Sequence, residues 1–228
     1  MNIYEYIKIE QDDIEELDIS NKKLTEILDL TRFYKFVKLN CSNNQLNILP
    51  ILIPKLKILN CSNNQLNMLP ILPSTLKSLN CSYNQFIILP ILPDSLEYLY
   101  CDNNIIKELP ILPNHNQLTI LSMLPNTLEE LYSSNNFITY LPLLPDTLEA
   151  LICSHNNIKE LPLLSSVLRL LYCSYNQLNI LPVLPNTLEE LYCPHNNIKE
   201  LPLLPNRLKI LDCSNNIITI LPLLPDTL

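Results

Sequence analysis

The sequence predicts a solenoid of stacked coils, with a curved parallel β-sheet on the concave face and a convex side that is extended, polyproline-like or 3-10, with little helix. Three observations predict it. The 228-residue chain repeats itself every 20 residues, as LKILNCSNNQLNMLPILPST (56–75), LKSLNCSYNQFIILPILPDS (76–95) and LEELYCPHNNIKELPLLPNR (188–207) show. Apolar residues recur inside each repeat at places that alternate as in a short strand. Of 19 prolines, 18 fall in the second half of the repeat or its variants, Pro194 being the exception.

Written from its first leucine, the unit is L-x-x-L-x-C-S-x-N-x-L-x-x-L-P-x-L-P-x-x, and its 20 places are numbered from that leucine. In chain order, residues 1–13 have no period and are expected to form an N-terminal cap. A weaker unit of 22 residues opens at Ile14, with Leu17, Ile19, Leu24 and Ile27 in its apolar places. Regular units open at Phe36, Leu56, Leu76 and Leu96, and again at Leu128, Leu148, Leu168, Leu188 and Leu208, so the solenoid is expected over 14–228. Between the two runs, at about 105–124, lies an irregular, shortened unit: Asn104 and Asn116 are 12 apart, which leaves no room for a strand. The strand near Tyr98 to Asp102 is therefore expected to pair directly with the one near Glu130 to Ser134. The repeats run to Leu228 with no C-terminal cap, so the last coil is expected either to fray or to support self-association through that uncapped end.

Within a unit, Leu59 and Cys61 point to one face of the strand while Asn60 and Ser62 point to the other. One coil cannot bury its apolar side alone, so neighbours must cover it. Ten coils at a strand spacing of about 4.8 Å make a ribbon about 50 Å long. In the L-P-x-L-P leg, two prolines fix φ and remove two donors, which favours an extended return over a helix.

With its L-x-x-L-x-C-x-x-N-x-L core, the chain resembles the leucine-rich repeat family, Cys standing at the sixth place. The 20-residue unit carrying L-P-x-L-P is similar to the YopM-like and IpaH-like repeats of bacterial secreted effectors, and its Asn-, Ile- and Tyr-rich wording is similar to repeat proteins of giant DNA viruses. The resemblance covers 14–228 and implies a leucine-rich repeat solenoid. The ligase domain that follows the repeats in IpaH-like effectors has no counterpart before Leu228, so no enzyme is expected. Function itself is not carried by the fold.

Two ladders are expected to serve the fold. Asn at the ninth place (44, 64, 84, 104, 136, 156, 176, 196, 216, and 116 in the shortened unit) can satisfy backbone groups that the strand leaves unpaired. All eight cysteines (41, 61, 81, 101, 153, 173, 193, 213) take the inward sixth place, Ser133 alone replacing one, and are expected as free, buried thiols of a reducing compartment. A zinc set would need thiolates buried among leucines, so no metal is expected. Cys153 with His155 and Cys193 with His195 could suggest a nucleophile and base, but the same columns hold Tyr175 and Asn215, so no catalytic residue is assigned. The N-C-S triplets at Asn40, Asn60 and Asn80 follow from the repeat and are expected to be unmodified.

Composition excludes further classes. With no glycine, neither a dinucleotide turn nor a phosphate loop of the usual kind can form, and no cofactor is expected. A net charge of −8 disfavours nucleic acid. No apolar run reaches membrane length and no signal peptide precedes the repeats, so the expected location is the cytoplasm, that of a host cell if the protein is viral or an effector.

Binding is expected on the concave face, where residues vary while the frame repeats. The fifth place reads Asn40, Asn60, Asn80, Tyr100, Tyr132, Ile152, Tyr172, Tyr192, Asp212, and Tyr83, Tyr98, His155, Tyr175 and His195 lie in neighbouring columns. Residues 36–95 carry 4 basic and 1 acidic groups (+3), and 96–228 carry 6 and 13 (−7). Glu130 and Glu190, with Glu97, Glu129, Glu149 and Glu189, lie beside the tyrosines, which points to a protein partner with a basic surface. Candidate contact residues are thus Tyr98, Tyr100, Tyr132, Tyr172, Tyr192, His155, Tyr175, His195, Glu130 and Glu190. The alternative is a structural or self-assembling repeat protein whose tyrosines only stack.

Overall fold

The structure, a computed structural model, describes residues 15–27, 30, 36–110 and 124–228. Among them lie ten strands of three residues each: β1 (Glu16–Asp18), β2 (Lys38–Asn40), β3 (Ile58–Asn60), β4 (Ser78–Asn80), β5 (Tyr98–Tyr100), β6 (Glu130–Tyr132), β7 (Ala150–Ile152), β8 (Leu170–Tyr172), β9 (Glu190–Tyr192) and β10 (Ile210–Asp212). They form one parallel sheet in chain order, each strand hydrogen-bonded to the next. No helix occurs among the described residues. The register joins equal places of successive units, as in Leu59↔Leu79, so each column of the repeat becomes a row across the sheet.

The expected pairing of β5 with β6 is present, Leu99 opposite Leu131. The turn before β6 is built like that before β7: the Thr127 hydroxyl donates to the carbonyls of Asp94 and Leu96, as Thr147 does to those of Asn126 and Leu128. The N-terminal cap assigned to 1–13 and most of the shortened unit, including Asn116, lie outside the described residues.

Leucines of the first, fourth, eleventh, fourteenth and seventeenth places, with the cysteines, make one core that runs the length of the solenoid. Seven cysteines are buried and Cys213 is half-buried, and all eight are free thiols. Burial pushes the thiols of Cys41, Cys153 and Cys193 up from 9.0 to about 12. They are therefore small apolar fillers at neutral pH. Ser133 occupies the same column fully buried, and its hydroxyl has no hydrogen-bond partner among the described residues.

Three places beyond the end of each strand, at the eighth place, the chain turns left-handed. Asn43, Asn63, Tyr83, Asn103, Asn135, His155, Tyr175, His195 and Asn215 all have φ between 52° and 56°. That turn aims the ninth residue inward. Asn176 then donates to the carbonyls of Cys153, Cys173 and Ser174 while accepting from the N–H of Ile158, so one amide serves two coils. Asn104, Asn136, Asn156, Asn176 and Asn196 are buried and Asn44, Asn64, Asn84 and Asn216 are half-buried, with matching bonds.

The seventh place differs from the expectation of a solvent-facing position. Ser42, Ser62 and Ser82 are buried, and the Ser154 hydroxyl accepts from the N–H of Ser174 at 3.1 Å. The left-handed turn just beyond folds the chain back over this side chain, which strand alternation alone does not anticipate. On the return leg, the sixteenth place faces solvent wherever it is described: Ile71 is 91% exposed, Leu203 83% and Leu223 90%.

Candidate concave-face site

Because the register keeps equal places together, the fifth-place residues form one row across β2 to β10. The tyrosines in it make two separate pairs. Tyr100 and Tyr132 have ring centroids 4.8 Å apart at 41°, and Tyr172 and Tyr192 are 4.6 Å apart, edge to face at 62°. Ile152 stands between Tyr132 and Tyr172 and breaks the row.

Tyrosine hydroxyls reach the glutamates of the next coil. Tyr98 donates to Glu129 at 2.8 Å, Tyr100 to Glu130 at 2.7 Å, and Tyr172 to Glu190. The Glu129 hydrogen bond and charge raise Tyr98 to about 12. Burial first, then Glu130, raises Tyr100, and burial first, then Glu190, raises Tyr172. Each phenol thus stays protonated and holds its ring in a fixed pose beside a carboxylate.

Not every glutamate is available to a partner. Lys77 pairs with Glu97 at 2.5 Å, and Arg169 and Lys209 both pair with Glu189, at 2.9 and 2.6 Å. Glu129, Glu130, Glu149 and Glu190 make no ion pair among the described residues, nor does Asp102 in the groove beside them, so they carry surplus negative charge on this face.

His155, Tyr175 and His195 are set apart from the tyrosine pairs, in the left-handed eighth place at the margin of the face. Their rings stack at 4.2 and 4.1 Å, within 14° of parallel, and Asn215 meets His195 at 3.0 Å. His155 thus packs on Tyr175, and the thiol of Cys153 is held protonated by burial, so the two do not form a thiolate and base.

One residue escaped the reading of the sequence. Asp102 lies in a groove of about 410 Å³ over β3 to β7, whose lining includes Asn80, Tyr83, Tyr100, Tyr132 and Ser134. Its Oδ1 accepts from the N–H of Ser134 at 2.6 Å, and burial raises its carboxyl against that bond. The available signal was its place: the seventh column otherwise reads Ser42, Ser62, Ser82, Ser134, Ser154, Ser174, Pro194 and Ser214.

A parallel sheet of ten short strands, inward leucines and an asparagine rung in each coil define a leucine-rich repeat protein, with repeats of the effector-like kind. It is similar to YopM from Yersinia enterocolitica WA-314 (37% identity, TM-score 0.77, over 95% of this chain and 50% of that one) and to YopM from Yersinia pestis, a leucine-rich effector protein (37%, 0.80, 91% and 56%). The functional domain of InlJ from Listeria monocytogenes, described as including a cysteine ladder, is similar at 26% identity and TM-score 0.67, over 91% of this chain and 48% of that one. The chain spans about half the length of these solved structures. No protein-family model and no curated protein sequence matches it. Leucine-rich repeat folds of this kind serve in general as protein-interaction scaffolds and are generally not catalytic. Among the described residues, no helix is long and apolar enough to cross a membrane.

Proposed function

We propose that the chain is a non-enzymatic scaffold that receives a protein partner with a basic surface on its concave Tyr/Asn/His-rich face, in a reducing cytoplasm. The observation that carries this reading is the coupling of tyrosine to glutamate across coils. Tyr98, Tyr100 and Tyr172 hold their rings in place against Glu129, Glu130 and Glu190 through bonds within the chain. A partner then meets aromatic anchors whose rotamers are already fixed, which lowers the ordering cost of association, and carboxylates that favour a basic surface. Thiols kept protonated by burial support the non-enzymatic part, and eight unbridged cysteines support the reducing compartment.

The test is affinity capture from the native cell, followed by titration calorimetry with the purified partner. Replacing Tyr100 and Tyr132 by Ala, or Tyr172 and Tyr192 by Ala, is expected to weaken binding tenfold or more, the scale of an aromatic anchor. Val183→Ser, on the convex side, should leave it unchanged. Affinity insensitive to both double variants would reject the reading.

A second reading, self-assembly, is favoured by the apolar residues on the return leg: Ile51, Ile71, Ile91, Leu163, Val183, Leu203 and Leu223. A second copy presents a row with the same coil spacing, and exposed apolar rows of this extent mark interfaces. Sedimentation across a dilution series separates the two readings. Dimerisation abolished by Leu163→Glu with Leu203→Glu, and indifferent to the tyrosine variants, would favour self-assembly.

A further inference from the structure

The fold does not account for the charge on Asp102. Its Oδ1 accepts from the N–H of Ser134, but one coil pair away the Ser154 hydroxyl accepts from the N–H of Ser174 in the same manner, and Ser82 does so from the N–H of Asp102 itself. A neutral hydroxyl is sufficient for that bond. Asp102 instead brings a carboxylate into a half-buried site where burial disfavours its ionised form.

The surroundings fit a cation. None of the residues lining the groove is Lys or Arg. Oδ1 of Asp102 is occupied by the Ser134 N–H, and the carboxyl also feels its own backbone N–H, but no side chain among the described residues bonds Oδ2. Tyr100 and Tyr132 form one wall with rings 4.8 Å apart, and the phenol of Tyr100 is tied back to Glu130, so its ring is held steady. Asn80 and Asn103 also line the groove. At about 410 Å³, the groove admits a long side chain with part of its backbone.

We infer that this groove is a pocket for one arginine side chain of a protein partner, with Asp102 as its counter-charge and Tyr100 and Tyr132 as its stacking wall. The inference rests on the concave-face reading above and deepens it. Arginine fits better than lysine for two reasons. A planar guanidinium can lie along a tyrosine ring while its edge N–H groups reach Oδ2, and it loses less hydration than an ammonium does on entering the groove. An arriving cation also offsets the cost of keeping the Asp102 carboxylate half-buried, so the ionised form is favoured when the pocket is filled.

The probe is N-acetyl-arginine amide, with the isosteric, uncharged N-acetyl-citrulline amide as control, titrated into the ¹⁵N-labelled full chain. The Ser134 N–H, bonded to Asp102, is the built-in reporter. Saturable shifts of Ser134 and Asp102 are expected with the arginine derivative and not with citrulline. Asp102→Asn, which keeps an acceptor for Ser134, and Asp102→Ser, the residue other coils use, should each weaken the response at least tenfold with no fall in thermal midpoint. No saturable shift, an equal response to citrulline, or an undiminished response in both folded variants would overturn the inference. A partner that loses binding on Tyr172→Ala with Tyr192→Ala yet ignores Asp102→Asn would sink the arginine pocket alone. An Asp102-dependent probe response beside a partner indifferent to every concave variant would uphold the pocket and remove the scaffold reading of this face.

Discussion

The amide of Asn176 ties three carbonyls and one N–H, drawn from two successive coils, with a single side chain. Asn176→Ala leaves buried backbone groups unpaired and should cost about 1–3 kcal/mol in urea unfolding. Ser154→Ala removes one acceptor from the Ser174 N–H and should cost about 0.5–1.5 kcal/mol. Equal midpoints for the two would show that the asparagine rung is not the main tie between coils. Ser133 offers the opposite case. Its buried hydroxyl pairs with nothing among the described residues, so Ser133→Cys, which restores the column, should raise stability by about 1–3 kcal/mol. A lowered melting midpoint would mean that the hydroxyl has a role in packing that the cysteine lacks. The roles of the asparagine and cysteine columns are legible in the sequence because an identical residue at an identical place must meet an identical environment. Asp102 is less so: its departure from the serine column is visible, but its meaning depends on a groove shared by several coils.

At the scale of one coil, the turn before β6 shows how the repeat absorbs an irregular stretch. Leu124, Pro125 and Thr127 stand where the seventeenth, eighteenth and twentieth places of a regular unit would be, and Leu124 is fully buried. The offset from Tyr98 to Glu130 is 32, twelve more than one unit of 20. Removing residues 111–122 restores that spacing, and the shortened chain is expected to keep its circular dichroism and its cooperative melting. Loss of the cooperative transition would show that those residues carry structural contacts. The left-handed eighth place and the threonine rung were not legible at this scale. Asn at 43, 63, 103, 135 and 215 hints at positive φ, but Tyr83, His155, Tyr175 and His195 disguise it. Threonine reads as ordinary turn wording until its hydroxyl is seen between two carbonyls.

Across the whole molecule, the buried thiols couple stability to alkaline pH. The folded-state values of Cys41, Cys153 and Cys193 are raised from 9.0 to about 12, and that of Tyr98 from 10.0 to about 12. A folded state that holds its protons more tightly than the unfolded chain is favoured in full below the ordinary values and loses that advantage as pH rises. Stability should therefore be level up to about pH 9 and fall steadily towards pH 12. Denaturant midpoints measured over that range check it, and a chain with Cys153, Cys173 and Cys193 changed to Val should show a shallower fall. An identical slope in that variant would move the cause to other groups. The period, the register and the solenoid were legible because stacking twenty-residue coils is the one way to cover so many leucines. The exposed row on the return leg was not, since Leu203 and Leu204 are the same letter and only the turn geometry decides that one is 83% exposed and the other 8%.

Ile152, which divides the tyrosine row, also sets a ruler. The centre of the Tyr100 and Tyr132 pair and that of the Tyr172 and Tyr192 pair are three strand spacings apart, about 14 Å. An extended peptide covers that distance in about four residues, and an α-helix in about nine. A partner segment that grips both pairs must therefore carry its anchors at one of those two separations, and the separation found in its sequence would report the conformation in which it binds.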